Sequence, residues 1–473
     1  MKYYLTTPIY YVNDQPHIGH AYTTVVADVL ARYHRQQGRD VFFLTGTDEH
    51  GAKIATSASK QGMEPQAFCD LNAAKFKVAW QALDISYDKF IRTTDEYHER
   101  AVIKIFQDLY DRGYLEEREY TGLYCVGCEK FLTDKELVDG LCPDHKQPPT
   151  SVKEKNWFFK LSEFLPRVRD LIASDEIKIL PITRKNEVLG LIKTNSLGDF
   201  SVSRQKSSVS WGVELPFDKN QVSYVWVDAL SNYITAVGYN QDEAEFNKWW
   251  PADLHLMAQD ILKFHAVYWP ALLLALDLPL FKTEFVHGFF TIDGQKMSKT
   301  VGNVIDPIAL VEKYGADATR YLLLSQFPFG QEADIKAELF DERYTADLAN
   351  GYGNAVARVT NLIEKNDITV RWEAADKEWR EKIATYYTDL RFDLVIKEAV
   401  ARIKALDVYI NDTKPWQQTD SAELTSVLSH CANELKTISE TLFPFMPAKA
   451  AAVLDCLNND KIKKGPNLFP RLS

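Results

Sequence analysis

Tyr3 to Tyr11 is a run of aromatic and β-branched residues that reads as a strand, and from His20 to Gln37 the apolar residues Val26, Val29, Leu30 and Tyr33 recur at helical spacing, with Gly38 in a stop position. Val41-Phe42-Phe43-Leu44 is then a continuous apolar run. Strand, helix and strand, with both strands uniformly apolar, predict a βαβ unit in a buried parallel sheet. From Tyr120 to about Phe217 the pattern breaks into short β-like pieces and turns, before an apolar run resumes at Ser223-Tyr224-Val225-Trp226-Val227-Asp228. A helical stretch over Asp260 to Leu276 and a strand over Glu284 to Ile292 restore the α/β rhythm. The simplest account is one nucleotide-binding sheet interrupted by an insertion. Beyond Asp341 strand-like runs disappear, and Leu394, Val395, Ala399, Ile403, Leu406 and Ile410 fall on one helical face, so the last third reads as a helical bundle.

Length supports several domains, since 473 residues exceed one ordinary core. A hydrophobic fraction of 46% and a charged fraction of 26% are those of a globular chain, and no apolar run approaches the roughly 20 residues of a membrane span. The N-terminus runs directly into the first strand without signal- or transit-peptide character, which predicts a cytoplasmic protein with no membrane partner. A formal charge of −11 excludes global attraction to nucleic acid, leaving local patches for any such partner. Residues 341–473 are the less repulsive part, with 18 basic and 20 acidic side chains.

Two strings carry the chemistry. His17-Ile18-Gly19-His20 falls where the first strand turns into the first helix, at the edge of the sheet where such folds bind nucleotides. Two imidazoles three residues apart can reach one ligand, Gly19 leaves room for a flat ring, and a helix start offers free N–H groups and partial positive charge to phosphate. Lys296-Met297-Ser298-Lys299-Thr300 follows a turn at Asp293-Gly294-Gln295 and brings two ammonium groups to a triphosphate and its departing pyrophosphate. A third set, Cys125 and Cys128, then thirteen residues, then Cys142 and His145, supplies three thiolates and an imidazole in two close pairs. That is the donor set of a closed, tetrahedral structural zinc knuckle, with no open position for catalytic water.

Together the two strings resemble the signatures of the Rossmann-type aminoacyl-tRNA synthetases. The flanking text, Thr6-Thr7-Pro8-Ile9-Tyr10-Tyr11-Val12-Asn13, Thr45-Gly46-Thr47-Asp48-Glu49-His50-Gly51, Tyr224-Val225-Trp226-Val227-Asp228-Ala229 and His287-Gly288-Phe289-Phe290, is similar to the methionyl-tRNA synthetase family over nearly the whole length. One departure is Thr300, where serine is the usual residue, and it keeps the small hydroxyl. The resemblance implies a methionine pocket of Ile9, Tyr11, Trp226, Ala229, Tyr233, Ile261, His265 and Trp269, with Asp48 taking the substrate ammonium. Aromatic faces suit a polarizable thioether. It also implies that ATP is held by His17, Gly19, His20, Lys296, Ser298 and Lys299, with His17, His20, Lys296 and Lys299 as the catalytic set and Mg²⁺ accompanying the nucleotide. Asn354, Arg358, Pro415 and Trp416 would read the anticodon, where a stacking aromatic beside a guanidinium suits an unpaired base.

The expected architecture is α/β: a Rossmann-type parallel sheet over 1–118 and 219–290, split by a zinc-bearing connective insertion over 119–218. A lysine-loop and stem-contact region at 291–340 and an α-helical anticodon-binding bundle at 341–473 follow. Folding is expected to bring His17, His20, Lys296 and Lys299 around one ATP. The expected partners are L-methionine and the methionine tRNAs, initiator and elongator. One zinc is expected, because the second cysteine set of some family members is missing. The chain stops soon after the bundle, between Lys461 and Ser473, which predicts a monomer. A cysteine- or leucine-specific synthetase is argued against by Tyr11 and Trp226, and a nucleotidylyltransferase leaves the knuckle and bundle unexplained. A non-catalytic tRNA-binding or zinc-scaffold protein would be expected to carry broken motifs.

Overall fold

A computed structural model describes residues 1–13, 15–125, 130–132, 137–143, 146–194, 197–296 and 303–472. The chain divides into two compact units, one of Met1–Pro16, His34–Val78 and Ser86–His287, the other of His17–Tyr33, Ala79–Ile85 and Gly288–Ser473. No helix among the described residues is long and apolar enough to cross a membrane.

The first unit is built on six parallel strands: β1 (Lys2–Tyr11), β2 (Asp40–Asp48), β3 (Lys89–Arg92), β4 (Lys178–Leu180), β5 (Leu254–Ala258) and β6 (Thr283–His287). Their order across the sheet is β3-β2-β1-β5-β6-β4. The order reverses between β1 and β5, the kind of position at which open α/β sheets bind ligands. Strand β4 comes from within the span 119–218 and joins the edge of the sheet beside β6.

Two local features shape the end of β1. Pairing with β2 runs from Lys2↔Asp40 to Thr6↔Leu44, shifts, and resumes at Ile9↔Gly46. Pro8 lies inside the shift, and a residue without an N–H cannot continue a central ladder. The resumed register sets Tyr11 opposite Asp48. Gly46 is required by its neighbour β3, because a Cβ there would lie 2.1 Å from the Ile91 carbonyl oxygen.

The rest of the unit holds a four-stranded antiparallel sheet of Leu115–Cys125, Lys130–Leu132, Thr150–Phe159 and Phe200–Ser201. The apolar run that resumes at Ser223 is a short strand only to that residue and then a helix, Val225–Thr235. The stretch expected as one helix over Asp260 to Leu276 is instead a 3-10 turn (Gln259–Ile261), a π-turn (Phe264–Tyr268) and a helix (Trp269–Ala275).

In the second unit the helix Ile18–Gln36 begins two residues earlier than its apolar spacing suggested. Its Asp28 is fully buried and meets the fully buried Arg320 at 2.6 Å. Arg320 also donates to the carbonyls of Leu83 (3.2 Å), Pro444 (2.8 Å) and Phe445 (2.9 Å). The expected turn at Asp293-Gly294 closes a hairpin between Phe290–Ile292 and Gln295–Lys296, with positive φ at both residues as a type I′ turn demands. Helices Asn354–Lys365, Lys377–Thr388, Phe392–Thr413, Ser421–Leu442 and Pro447–Leu457 form the expected all-helical last third.

Candidate functional site

His17 precedes the helix Ile18–Gln36 and caps it: its Nδ1 accepts the Gly19 N–H at 3.1 Å. His20, three positions on, returns the bond, its Nδ1 accepting the His17 N–H at 3.2 Å. This is a capping box built from two imidazoles, whose rings stack at 3.8 Å. The N–H of Ile18 goes to the Ile305 carbonyl at 3.0 Å. Of the amides expected to be free at the helix start, those of residues 17, 18 and 19 are already taken. What it offers is on the rings. Burial lowers the His17 pKa and lowers that of His20 further, His17 adding to the second effect, so both imidazoles are neutral near pH 7. With each Nδ1 accepting, the ring proton of each neutral imidazole sits on Nε2, an N–H donor of the kind that suits a phosphate oxygen.

In the first unit, Trp226, Ala229 and Tyr233 recur three and four apart along the helix Val225–Thr235. Ile261, His265 and Trp269 recur every four residues through the 3-10 and π-turns, a distortion common at functional sites. The two rows meet. Tyr233 Oη lies 2.8 Å from His265 Nε2, and His265 Nδ1 lies 3.0 Å from the Ile261 carbonyl. A carbonyl only accepts, so His265 carries its proton on Nδ1 and the tyrosine donates to Nε2. Burial drives the His265 pKa down to about 4 and the Tyr233 pKa up. Both are neutral. Trp269 stands 6.0 Å from the Tyr233 ring, and Trp226 meets His265 edge-on at 6.2 Å while stacking on Phe264 at 3.8 Å. Ile9 and Ile261 pack against the same core. Tyr11 carries Lys53 5.4 Å from its ring centre, and Asp48 is buried at the end of β2.

A buried ionic brace ties these pieces together. His50, two residues after Asp48, donates from Nδ1 to Asp228 Oδ2 at 2.8 Å, and Asp228 stands two residues after Trp226. His98 Nε2 holds the other carboxylate oxygen at 3.0 Å and its Nδ1 holds Thr235 at 2.7 Å. Between Asp48 and His50, the fully buried Glu49 takes Arg92 in a two-pronged pair, both bonds 2.8 Å, and the hydroxyls of Thr47 and Thr94, each at 2.6 Å.

A family described as "tRNA synthetases class I (M)" matches residues 3–150 and 144–360 of this chain. The Methionine--tRNA ligase of Clostridium acetobutylicum is 43% identical over 100% of this chain and 78% of its own length. That of Rickettsia conorii is 40% identical over 99% of this chain and 95% of its own. The chain belongs to the methionine–tRNA ligase family. A solved Mycobacterium tuberculosis methionyl-tRNA synthetase in complex with methionyl-adenylate superimposes with a TM-score of 0.91 at 34% identity, covering 99% of this chain and 98% of that one. The ligand-free form of the same enzyme gives 0.85 at 31% identity.

Other expected sites of the ligase family are described in part. Cys125, at the end of its strand, and Cys142 are both buried and belong to one small cluster with Leu132, against which Leu137 packs. Cys142 also anchors a turn, its N–H bonding the Gln147 carbonyl and its carbonyl taking the Lys146 N–H. Two thiols in an apolar cluster this small fit a structural zinc, since so few apolar side chains hold little structure alone. Cys128, His145, Met297, Ser298, Lys299 and Thr300 lie outside the described residues, and of Lys296 only the backbone is described, in its strand. In the bundle Arg358 binds Asp407 and Asn411, each at 2.6 Å, and its guanidinium lies 5.3 Å from the ring centre of Trp416, which is 50% exposed. Pro415, buried, starts the 3-10 turn that presents this indole, and Asn354 is exposed at the start of the Arg358 helix.

Sequence reasoning passed over His98, Glu49, Arg92 and Thr94. The signal available for one of them, Glu49, was Asp48-Glu49-His50, three successive ionisable residues at the end of an apolar strand.

Proposed function

We propose that the chain activates L-methionine with ATP and passes the methionyl group to the 3′ end of methionine tRNAs, initiator and elongator. In the first step a methionine carboxylate oxygen bonds to the α-phosphorus, the bond to the bridging β-oxygen breaks, and pyrophosphate leaves. In the second, a terminal ribose hydroxyl bonds to the carbonyl carbon, its proton is lost, and AMP leaves. Neither step needs a strong acid or base from the protein. Orientation and neutralisation of charge carry the rate.

The reading rests on the closed chain Tyr233–His265–Ile261. Both nitrogens of His265 and the hydroxyl proton of Tyr233 are already committed within this chain, so a substrate side chain that must accept a hydrogen bond finds no donor on this pair. A thioether requires none, and gains contact with the aromatic rings of Trp226 and Trp269. Asp48 would take the ammonium group, beside Tyr11. His17 and His20 would hold the nucleotide phosphates through their Nε2–H groups, with Gly19 leaving space for the base or sugar. Lys296 and Lys299, helped by the Ser298 hydroxyl, would balance charge on the departing pyrophosphate. Mg²⁺ would neutralise part of the polyphosphate charge.

Asn354, Arg358, Pro415 and Trp416 would read the anticodon, and Cys125, Cys128, Cys142 and His145 would hold one zinc. The working form would be a cytoplasmic monomer. ATP–pyrophosphate exchange measured across the proteinogenic amino acids is the test: methionine should stimulate it best, and a better substrate overturns the reading. Lys299→Ala should cut the exchange rate roughly 100-fold, the size of effect found for a lost charge-stabilising group; a change within about twofold removes the lysine from the phosphate step.

A further inference from the structure

Beneath Tyr233 the sheet carries a row of polar side chains that the reaction does not use. Thr6 of β1 pairs in register with His255 of β5, and His255 with Glu284 of β6, so the three side chains leave one face of the sheet side by side. All three are completely buried. Thr6 Oγ1 lies 2.8 Å from His255 Nδ1, and the His255 ring lies 4.3 Å from that of Tyr233 and 4.8 Å from Phe281. The row ends unfinished: among the described residues, neither carboxyl oxygen of Glu284 and not the Nε2 of His255 has a hydrogen-bond partner.

A buried carboxylate normally has a cation or several N–H donors beside it, because losing hydration costs several kcal/mol per ion. Glu284 has none. On one side its strand neighbour is the apolar Ile179, and on the other it is His255, which burial holds neutral. A protonated carboxyl removes the difficulty, because it carries a donor and an acceptor where His255 Nε2 needs one partner. The direction of the Glu284 pKa, raised well above 4.5 by burial, agrees.

We propose that Glu284 is a positioning residue for Tyr233: a neutral, proton-bearing acid that completes the row Thr6–His255–Glu284 by bonding His255 Nε2, directly or through one internal water, and so fixes the ring on which Tyr233 rests. This inference rests on the assignment of Tyr233 to the methionine site. Its chain of action runs from Glu284 to His255 by hydrogen bond, from His255 to Tyr233 by ring contact, and from Tyr233 to His265 by the 2.8 Å bond.

The test uses the full chain and three readouts. Infrared difference spectra between wild type and Glu284→Gln should show the carbonyl band of a protonated carboxylic acid in the wild type only. In pyrophosphate exchange, Glu284→Gln, which keeps both a donor and an acceptor, should hold the methionine KM within about twofold. Glu284→Leu, which fills the space but leaves His255 unpaired, should raise it roughly fivefold with kcat little changed, the effect of one lost hydrogen bond. Absence of the acid band, or a wild-type KM in Glu284→Leu, overturns the proposal. Should the leucine variant not fold, the infrared band and the glutamine variant still decide. A wild-type chain that ignores methionine would refute the site assignment instead, and the infrared result would then speak only to the state of Glu284.

Discussion

Replacing Asp228 by asparagine isolates the ionic brace. Burial alone would lower the His50 pKa, but the Asp228 carboxylate at 2.8 Å reverses this and raises it from 6.5 to about 10, with Glu99 assisting. Complete burial works against ionised Asp228, yet His50 and His98 hold its pKa down to about 2. A raised histidine contributes stability that is complete below its unfolded value of 6.5 and is lost as pH climbs through the folded value near 10. At about 1.36 kcal/mol per pKa unit the His50 contribution is roughly 5 kcal/mol at pH 6 and about 3 kcal/mol at pH 8. The Asp228 share behaves oppositely, present above 3.8 and lost only as pH falls toward 2, so it stays constant over this range. Asp228→Asn removes the counter-charge and leaves burial to keep His50 neutral. Urea unfolding followed by circular dichroism should therefore show a stability deficit of about 3–5 kcal/mol near pH 6, in line with broken buried pairs. The deficit should shrink to about 1 kcal/mol near pH 9.5, because the wild type loses what the variant never had. A deficit independent of pH between about 6 and 9.5 would refute the argument, since it would mean that His50 is not charged in the folded protein.

Three further outcomes follow from the sites. Tyr233→Phe leaves His265 Nε2 without its donor and should raise the methionine KM in pyrophosphate exchange by about tenfold, with kcat within about twofold; an unchanged KM would detach the pair from methionine. Trp416→Ala should cut tRNA aminoacylation efficiency by roughly 10–100-fold, the worth of one stacked base, while pyrophosphate exchange stays at the wild-type rate; equal losses in both assays would place the indole elsewhere. Cys125→Ser should lower bound zinc, measured by plasma emission, from about one per chain to near zero; retention of the metal would break the knuckle assignment.

Apolar patterning alone locates the strand-to-helix turn on which the histidine string sits. Trp226, Ala229, Tyr233, Ile261, His265 and Trp269 were legible only through the family resemblance, since a buried aromatic at any of these positions reads equally well as core, and the spacing that groups them follows from the helix and turns of the fold. The run at Ser223 to Asp228 reads like the earlier strands, yet most of it is helix. Helical backbone places Asp228 beside His50, a partner 178 residues away that no window of sequence contains. The amides of the helix start were read as open to phosphate because helix N-termini leave N–H groups without partners inside the helix. Nothing in four letters says that two imidazoles will cap each other. The row of Thr6, His255 and Glu284 was equally hidden, since it exists only in the register of three strands.

Arg320 bears on how the molecule is made. Its guanidinium closes contacts with Asp28, Leu83, Pro444 and Phe445, so one side chain joins residues from nearly the whole length of the chain. Asp28 belongs to the helix that opens with His17 and His20. On a ribosome that helix emerges early, but the Arg320 guanidinium that its buried carboxylate meets gains its own complete set of acceptors only once Phe445 has been added. Such long sequence separation slows folding, because the chain must be closed over the full interval before the contact stabilises anything. The helix that opens with His17 and His20 is thus among the first segments synthesised, while the arginine that meets its buried carboxylate is among the last groups to gain all its partners.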